Sequence, residues 1–222
     1  HEGFMASRQG LPTIPALAET IAIAKYLLMI EATGVRAHFG LLSCGASVGL
    51  IKAAKAKGLA VTADVAMHQL HLTDQLIDGF NSLAHVRPPL RSEQDKALLR
   101  QGVKDGVIDA ICTHHEPLSS SAKMAPFAET QPGFSAFDSY IPLGIQLVNE
   151  GLFTPLEWVE KVTTQPAQVA NMVDRWAQEA GLVLIDPTFE WTLSKENIIS
   201  QGKNTPLINQ QAIGKVVKTF TA

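Results

Sequence analysis

Apolar positions along this chain recur in two rhythms. Over residues 15–31 they return every three to four places, with Pro15 in the first turn, Glu19 near the start and Gly34 just past the end, which predicts an amphipathic helix. Short continuous apolar runs at 35–42, 60–66 and 107–112 have strand length, and the middle one is rich in Val and Thr. Helical spacing fills the intervals, at 47–57 with Gly58 as its stop, and at 93–104 with Ser92 as cap and Asp95 as a weak capping-box partner. Arg87-Pro88-Pro89 can be neither helix interior nor central strand and predicts a rigid loop. A long loop to about Gln131 follows the third run, and helices are expected at 138–150 and 154–172. Strand and helix alternating at this spacing predict a parallel α/β architecture.

The pattern changes near Gly181. Runs at 182–185, 190–193 and 215–220, separated by Pro and Gly turns, predict a small β-rich appendage, so the chain divides into residues 1–180 and 181–222. No internal repeat or low-complexity segment is visible.

Composition narrows the function classes. A hydrophobic content of 46% is ample for a core, and a net charge of −3 offers no basic field for nucleic acid or an anionic membrane. The run 21–30, broken by Lys25, is far short of the ~20 residues a membrane span needs. Cys44 and Cys112, far apart and outside any CxxC pattern, fit a reducing cytosol. No signal-peptide pattern opens the chain, and a first residue His1 rather than Met implies upstream residues that are not part of it.

The chemistry concentrates after the third run, where 107–112 ends abruptly in Thr113, His114, His115 and Glu116. A buried parallel strand delivers polar groups to the mouth of an α/β barrel in this way. His114-His115-Glu116 imitates a metal cluster, but neighbours on a strand point to opposite faces. His68 and His71 could act together only on a helix. Phosphate-loop, dinucleotide, nucleophile-elbow and HExxH motifs are absent.

Ile108-Asp109-Ala110-Ile111-Cys112-Thr113-His114-His115-Glu116-Pro117-Leu118 resembles the dihydroorotase signature, which reads roughly Ile-Asp-Ala-Ile-Ala-Thr-Asp-His-Ala-Pro-His. The resemblance extends to Val35–Ser43, similar to the family strand containing His-Ile-Ala-His-Val-Ser-Thr, and to Val61–Leu70, similar to Val-Thr-Ala-Glu-Val-Thr-Pro-His-His-Leu. His85-Val86-Arg87-Pro88-Pro89-Leu90-Arg91 resembles Lys-Val-Asn-Pro-Pro-Leu-Arg. Asp186-Pro187, Glu190-Trp191-Thr192 and 200–206 are similar to phrases of the flanking β-domain. What this implies is the later part of an amidohydrolase (β/α)8 TIM-type barrel, roughly strands six to eight, with the C-terminal half of a small β-sandwich. The family's His-x-His metal motif would lie upstream. A count of three strands where a barrel needs eight implies a fragment with open edges, completed by the N-terminal half of the same protein or by an oligomer.

The resemblance also implies a loss of chemistry. His114 stands where the family has its catalytic Asp, Leu41 where it has a zinc ligand, Arg87 where an Asn contacts the pyrimidine ring, and Leu118 where a His contacts the substrate carboxylate. Arg only donates hydrogen bonds and cannot replace a paired donor and acceptor. His38 matches the non-ligand His and is expected to be packed or hydrogen-bonded, and Arg91 keeps the family identity. No metal site and no cofactor are therefore expected. The Thr-His-His-Glu-Pro run is similar to that of non-catalytic dihydroorotase homologues, which implies a cytoplasmic pseudoenzyme of pyrimidine biosynthesis holding aspartate carbamoyltransferase catalytic chains. The alternative is an active zinc-dependent dihydroorotase or related cyclic amidohydrolase with His114 as base.

Overall fold

The computed structural model describes residues 2–175 and 181–220. Three parallel strands, β1 (Ala37–Phe39), β2 (Val61–Ala66) and β3 (Ala110–Cys112), lie side by side in chain order. Phe39 pairs with Ala63, and Asp64, Val65 and Ala66 pair with Ala110, Ile111 and Cys112. Preceding and connecting them are α1 (Phe4–Gln9), α2 (Ala16–Thr33), α3 (Gly45–Ala56) and α4 (Glu93–Lys104). Alternate residues of β2, Val61, Ala63 and Val65, are buried against these helices, as a half-buried strand requires.

Two strands are shorter than the apolar runs suggested. Of 35–42, only Ala37–Phe39 pairs, because the chain turns after Gly40 and Leu41 enters the left-handed region at φ 60°. Of 107–112, Val107 and Ile108 are buried without pairing. Asp109 instead accepts from Lys55 Nζ at 2.8 Å and from the Ala63 amide at 2.8 Å, tying β2 to α3.

Helix α4 matches its expected limits, and both halves of the Ser92–Asp95 capping box are formed. Helix α2 is apolar on more than one side rather than amphipathic: it buries Ile23 and Ile30 but leaves Leu17, Ile21, Leu28 and Met29 exposed. Helices α3 and α4 approach closely where a side chain is missing. A Cβ on Gly102 would lie 2.7 Å from Val48 Cγ1, and one on Gly45 would lie 2.3 Å from Leu98 Cδ1.

Residues 154–172, expected as one helix, form two: α6 (Pro155–Val162) and α7 (Thr164–Val169), after α5 (Phe137–Asn149). The break falls at Thr163 (φ −130°, ψ −82°). Pro166 has no amide to give the Val162 carbonyl, and its ring would collide with that oxygen in a continuous helix.

The C-terminal runs at 182–185 and 190–193 merge into one long strand, β4 (Leu182–Thr192), antiparallel to β5 (Gln211–Phe220), with register irregularities after Leu184 and Asp186. Strand β5 rests on α5, and the Trp191 indole of β4 donates to the Gly214 carbonyl of β5 at 3.0 Å. Leu193, Ile198 and Leu207 join the core cluster that contains Ile111, Phe134 and Leu147. Leu182, Val183, Leu184, Val217 and Phe220 remain exposed. Among the described residues no helix is long and apolar enough to cross a membrane.

Candidate functional site

The C-terminal ends of β1, β2 and β3 carry one hydrogen-bonded set. Asp64 accepts from His38 Nε2 at 2.8 Å, from the Leu41 amide at 2.8 Å and from Cys112 Sγ at 3.4 Å. A carboxylate only accepts, so a neutral His38 carries its proton on Nε2 and takes the Thr62 hydroxyl on Nδ1, 2.8 Å away. Burial alone would raise the Asp64 pKa, but the bonds from His38, Leu41 and Cys112 outweigh it and hold the carboxyl below its ordinary range. Burial, followed by the Asp64 charge, pushes the Cys112 thiol far up, so it is a neutral donor. His38 is thus hydrogen-bonded as expected, although its side chain keeps 30% exposure rather than lying in a core.

A second set begins just past β2 and β3. His68 is fully buried in the single 3₁₀ turn Met67–Leu70, and its ring faces His114 at 5.6 Å and Phe134 at 4.8 Å. Among the described residues, neither nitrogen of His68 has a hydrogen-bond partner, and neither does Nδ1 of His114. Burial, and then the charge of His114, drives the His68 pKa down to about 3. His71 turns instead toward Arg100 and Glu150, and burial lowers its pKa to about 4. His68 and His71 are not a pair. His114 sits at φ 46°, and its Nε2 lies 3.5 Å from Glu116 Oε1. Leu41 and His114, the two positions that differ from the family's ligand and base, both adopt the left-handed conformation that costs a side-chain-bearing residue about 1–2 kcal/mol.

The segment after β3 is a tethered loop, not a strand. His115 Nδ1 accepts from the Ala136 and Phe137 amides at 2.9 and 3.2 Å, and its ring stacks on Phe137. It therefore caps α5. The Asn204 side chain accepts from the Leu118 amide at 2.7 Å and donates to the Glu116 carbonyl at 2.9 Å. Nothing in the apolar periodicity pointed to Asn204.

Arg87 and Leu118 do not meet. Arg87 is exposed and lines a cleft with Leu11, Ile14 and Phe127, whereas Leu118 lines a different cleft with Lys123 and Asn204. Arg91 is buried and structural: its guanidinium bonds the Ser43 hydroxyl at 3.0 Å and the Ile14 carbonyl at 2.8 Å, and lies 3.7 Å from Glu19. Glu19 in turn accepts from the Ser43 and Cys44 amides and from the hydroxyls of Ser43 and Ser47 at the start of α3. Sequence spacing offers no sign of this role for Glu19, 72 places before Arg91 (91 − 19).

A zinc centre, which the family resemblance implies for active members, does not fit the donor set present. Leu41 offers no lone pair, Asp64 and His38 satisfy each other, and the rings of His68 and His114 lie 23° from parallel rather than converging. Among the described residues no group of three His, Cys, Asp or Glu side chains could hold a metal ion.

No protein-family model matches the chain. It is 45% identical over 99% of its length to a dihydroorotase-like protein of Pseudomonas aeruginosa, and 36% identical over 99% to a dihydroorotase of Syntrophus aciditrophicus. It spans about half of those relatives, 52% of each. Among solved structures, a D-hydantoinase superposes with TM-score 0.84 at 22% identity, covering 93% of this chain and 48% of that one. The inactive dihydroorotase-like domain of the Chaetomium thermophilum CAD-like multifunctional protein superposes with TM-score 0.66 at 19% identity, covering 90% of this chain and 53% of that one. Similarity along nearly its whole length thus ties the chain to dihydroorotase-like proteins and dihydroorotases, and its fold is that of an amidohydrolase, consistent with a C-terminal portion of one.

Proposed function

We propose that the protein is a dihydroorotase-like, non-catalytic member of cytoplasmic pyrimidine biosynthesis, a scaffold for aspartate carbamoyltransferase catalytic chains. The reading extends to a (β/α)8 barrel and β-sandwich completed by the N-terminal half of the same protein, and to an oligomer without metal or cofactor. The observation that carries it is His114. It stands in the family's carboxylate position, its ring stacks on the neutral, buried His68, and the carboxylate that approaches its Nε2, at 3.5 Å, belongs to the half-exposed Glu116. Leu41, Arg87 and Leu118 change ligand, ring-contact and carboxylate-contact positions at the same time. Losing a positioned acid or base costs about 10²–10⁴-fold by itself.

A second reading, an active zinc-dependent dihydroorotase or related enzyme that hydrolyses a cyclic amide C–N bond, draws on the unpartnered Nδ1 of His114, since imidazole can move protons near neutrality. The two are separated by assaying the intact gene product with dihydroorotate and measuring zinc by elemental analysis without chelators. The scaffold reading expects turnover far below ~1 s⁻¹, the low end of ordinary enzyme rates, no stoichiometric zinc, and co-purification with aspartate carbamoyltransferase. Steady turnover above that rate with bound zinc overturns it.

A further inference from the structure

A cleft of about 570 Å³ opens between the loop after β3 and the C-terminal segment. Three of its lining residues are lysines, Lys123, Lys195 and Lys203, and none is an acid. Lys123 is nearly buried, and its ammonium is held by the carbonyls of His85 at 3.0 Å and Gln131 at 2.7 Å. Lys203 donates to the Ile198 carbonyl, and Lys195 is exposed. None of the three forms an ion pair among the described residues. Glu116 acts on Lys123 and Glu196 on Lys195 and Lys203 only at longer range: neither carboxylate lines the cleft, Glu116 lies 3.5 Å from His114, and Glu196 is bonded to Ser194. Burial, opposed by the charge of Glu116, lowers the Lys123 pKa to about 8.

The rest of the lining is apolar at Leu83, Leu118 and Ile208, and otherwise amide or hydroxyl, including Asn204 and Ser120. The volume falls in the ~300–1,000 Å³ range of small-molecule sites, too large for a bare inorganic ion to fill. A single carboxylate would answer one of three positive charges, whereas a phosphomonoester carries about −1.5 to −2 near neutrality. We propose that this cleft binds a phosphomonoester of a small organic molecule, its phosphate among Lys123, Lys195 and Lys203 and its body against Leu83, Leu118 and Ile208. Leu118 is the one residue shared with the positions that differ from the dihydroorotase pattern. The proposal does not depend on whether the chain supports catalysis.

Isothermal titration of the intact gene product with phenyl phosphate at low salt tests it. Saturable one-to-one binding is expected, weakened at least about tenfold by Lys195→Gln with Lys203→Gln and by raised salt, with inorganic phosphate and benzoate each at least about tenfold weaker. No saturation by about 10 mM, equal affinity for inorganic phosphate, or an unchanged double variant would each overturn it. Because Lys203 also holds the Ile198 carbonyl, acetylation footprinting of the unaltered chain supplies a second readout. Phenyl phosphate should protect Lys195 and Lys203 while exposed Lys25 and Lys52 react as before. Uniform protection, or none, sinks the assignment.

Discussion

The imidazoles of His68 and His114 lie 5.6 Å apart, one just past β2 and the other just past β3, so the two strand ends are joined by a ring contact with no hydrogen bond in it. This contact works only while His68 is neutral. Its pKa of about 3 is far below the ordinary 6.5, as is the value of about 4 for His71. Between pH 6.5 and those values the unfolded chain binds protons that the folded chain does not, so stability is lost as pH falls through that window. Urea midpoints should drop steadily from about pH 7 to about pH 4.5. In His68→Leu the drop should shrink by at least about 1 kcal/mol, or roughly 2–4 °C in Tm for a chain of this size. An unchanged pH slope would mean that His68 is not buried as described.

Arg91 and Glu19 make a second, opposite kind of partnership. Their side chains are 2% and 16% exposed, and together they hold α2, the start of α3 and the loop before α4. Arg91→Met leaves the Glu19 charge partly buried without its cation and should cost about 3–5 kcal/mol. Glu19→Gln, which keeps the shape and some of the hydrogen bonds, should cost less. Chemical denaturation of both variants checks the ranking.

Two glycines separate backbone freedom from close packing. Gly49 is exposed on α3 with open space where a methyl would be added, so Gly49→Ala should stabilise by about 0.5–1 kcal/mol. Gly102→Ala drives a methyl into Val48 and should destabilise by about 1–3 kcal/mol. Thermal melts of the pair, run side by side, should give opposite signs.

Assembly follows from what is left uncovered. Leu17, Ile21 and Leu28 on α2 and Leu182, Leu184 and Val217 on the hairpin are all more than half exposed. Apolar area of this kind is worth about 25 cal/mol per Å² when removed from water. Light scattering on the isolated chain should therefore show association, and a cooperatively melting monomer of 23.9 kDa would contradict the expectation.

Local grammar carried much of the fold. Ser92 and Asp95 announced α4 correctly because a capping box is a short-range device whose partners sit three residues apart. The strand runs were found but overextended, since apolar continuity cannot tell a paired residue such as Ile111 from a buried, unpaired one such as Ile108. Pro166 is the local sign of the break before α7, since it has no amide for the Val162 carbonyl. For the chemistry, the family resemblance singles out His114, Leu41, Arg87 and Leu118, and the structure puts Arg87 and Leu118 in separate clefts. The partners that fix the surroundings, Asp64 for Leu41 and Asn204 for Leu118, are 23 and 86 residues away from the groups they hold, beyond any periodicity.

Asn204 gives its side chain to both Leu118 and Glu116, and its carbonyl to the Ser135 amide. Its amide imitates a short stretch of neighbouring strand for a loop that has none. The shape of the loop bearing His114 is thus inherited from a residue that leaves the ribosome well after it. A nascent chain that already holds β1, β2 and β3 would still lack that shape.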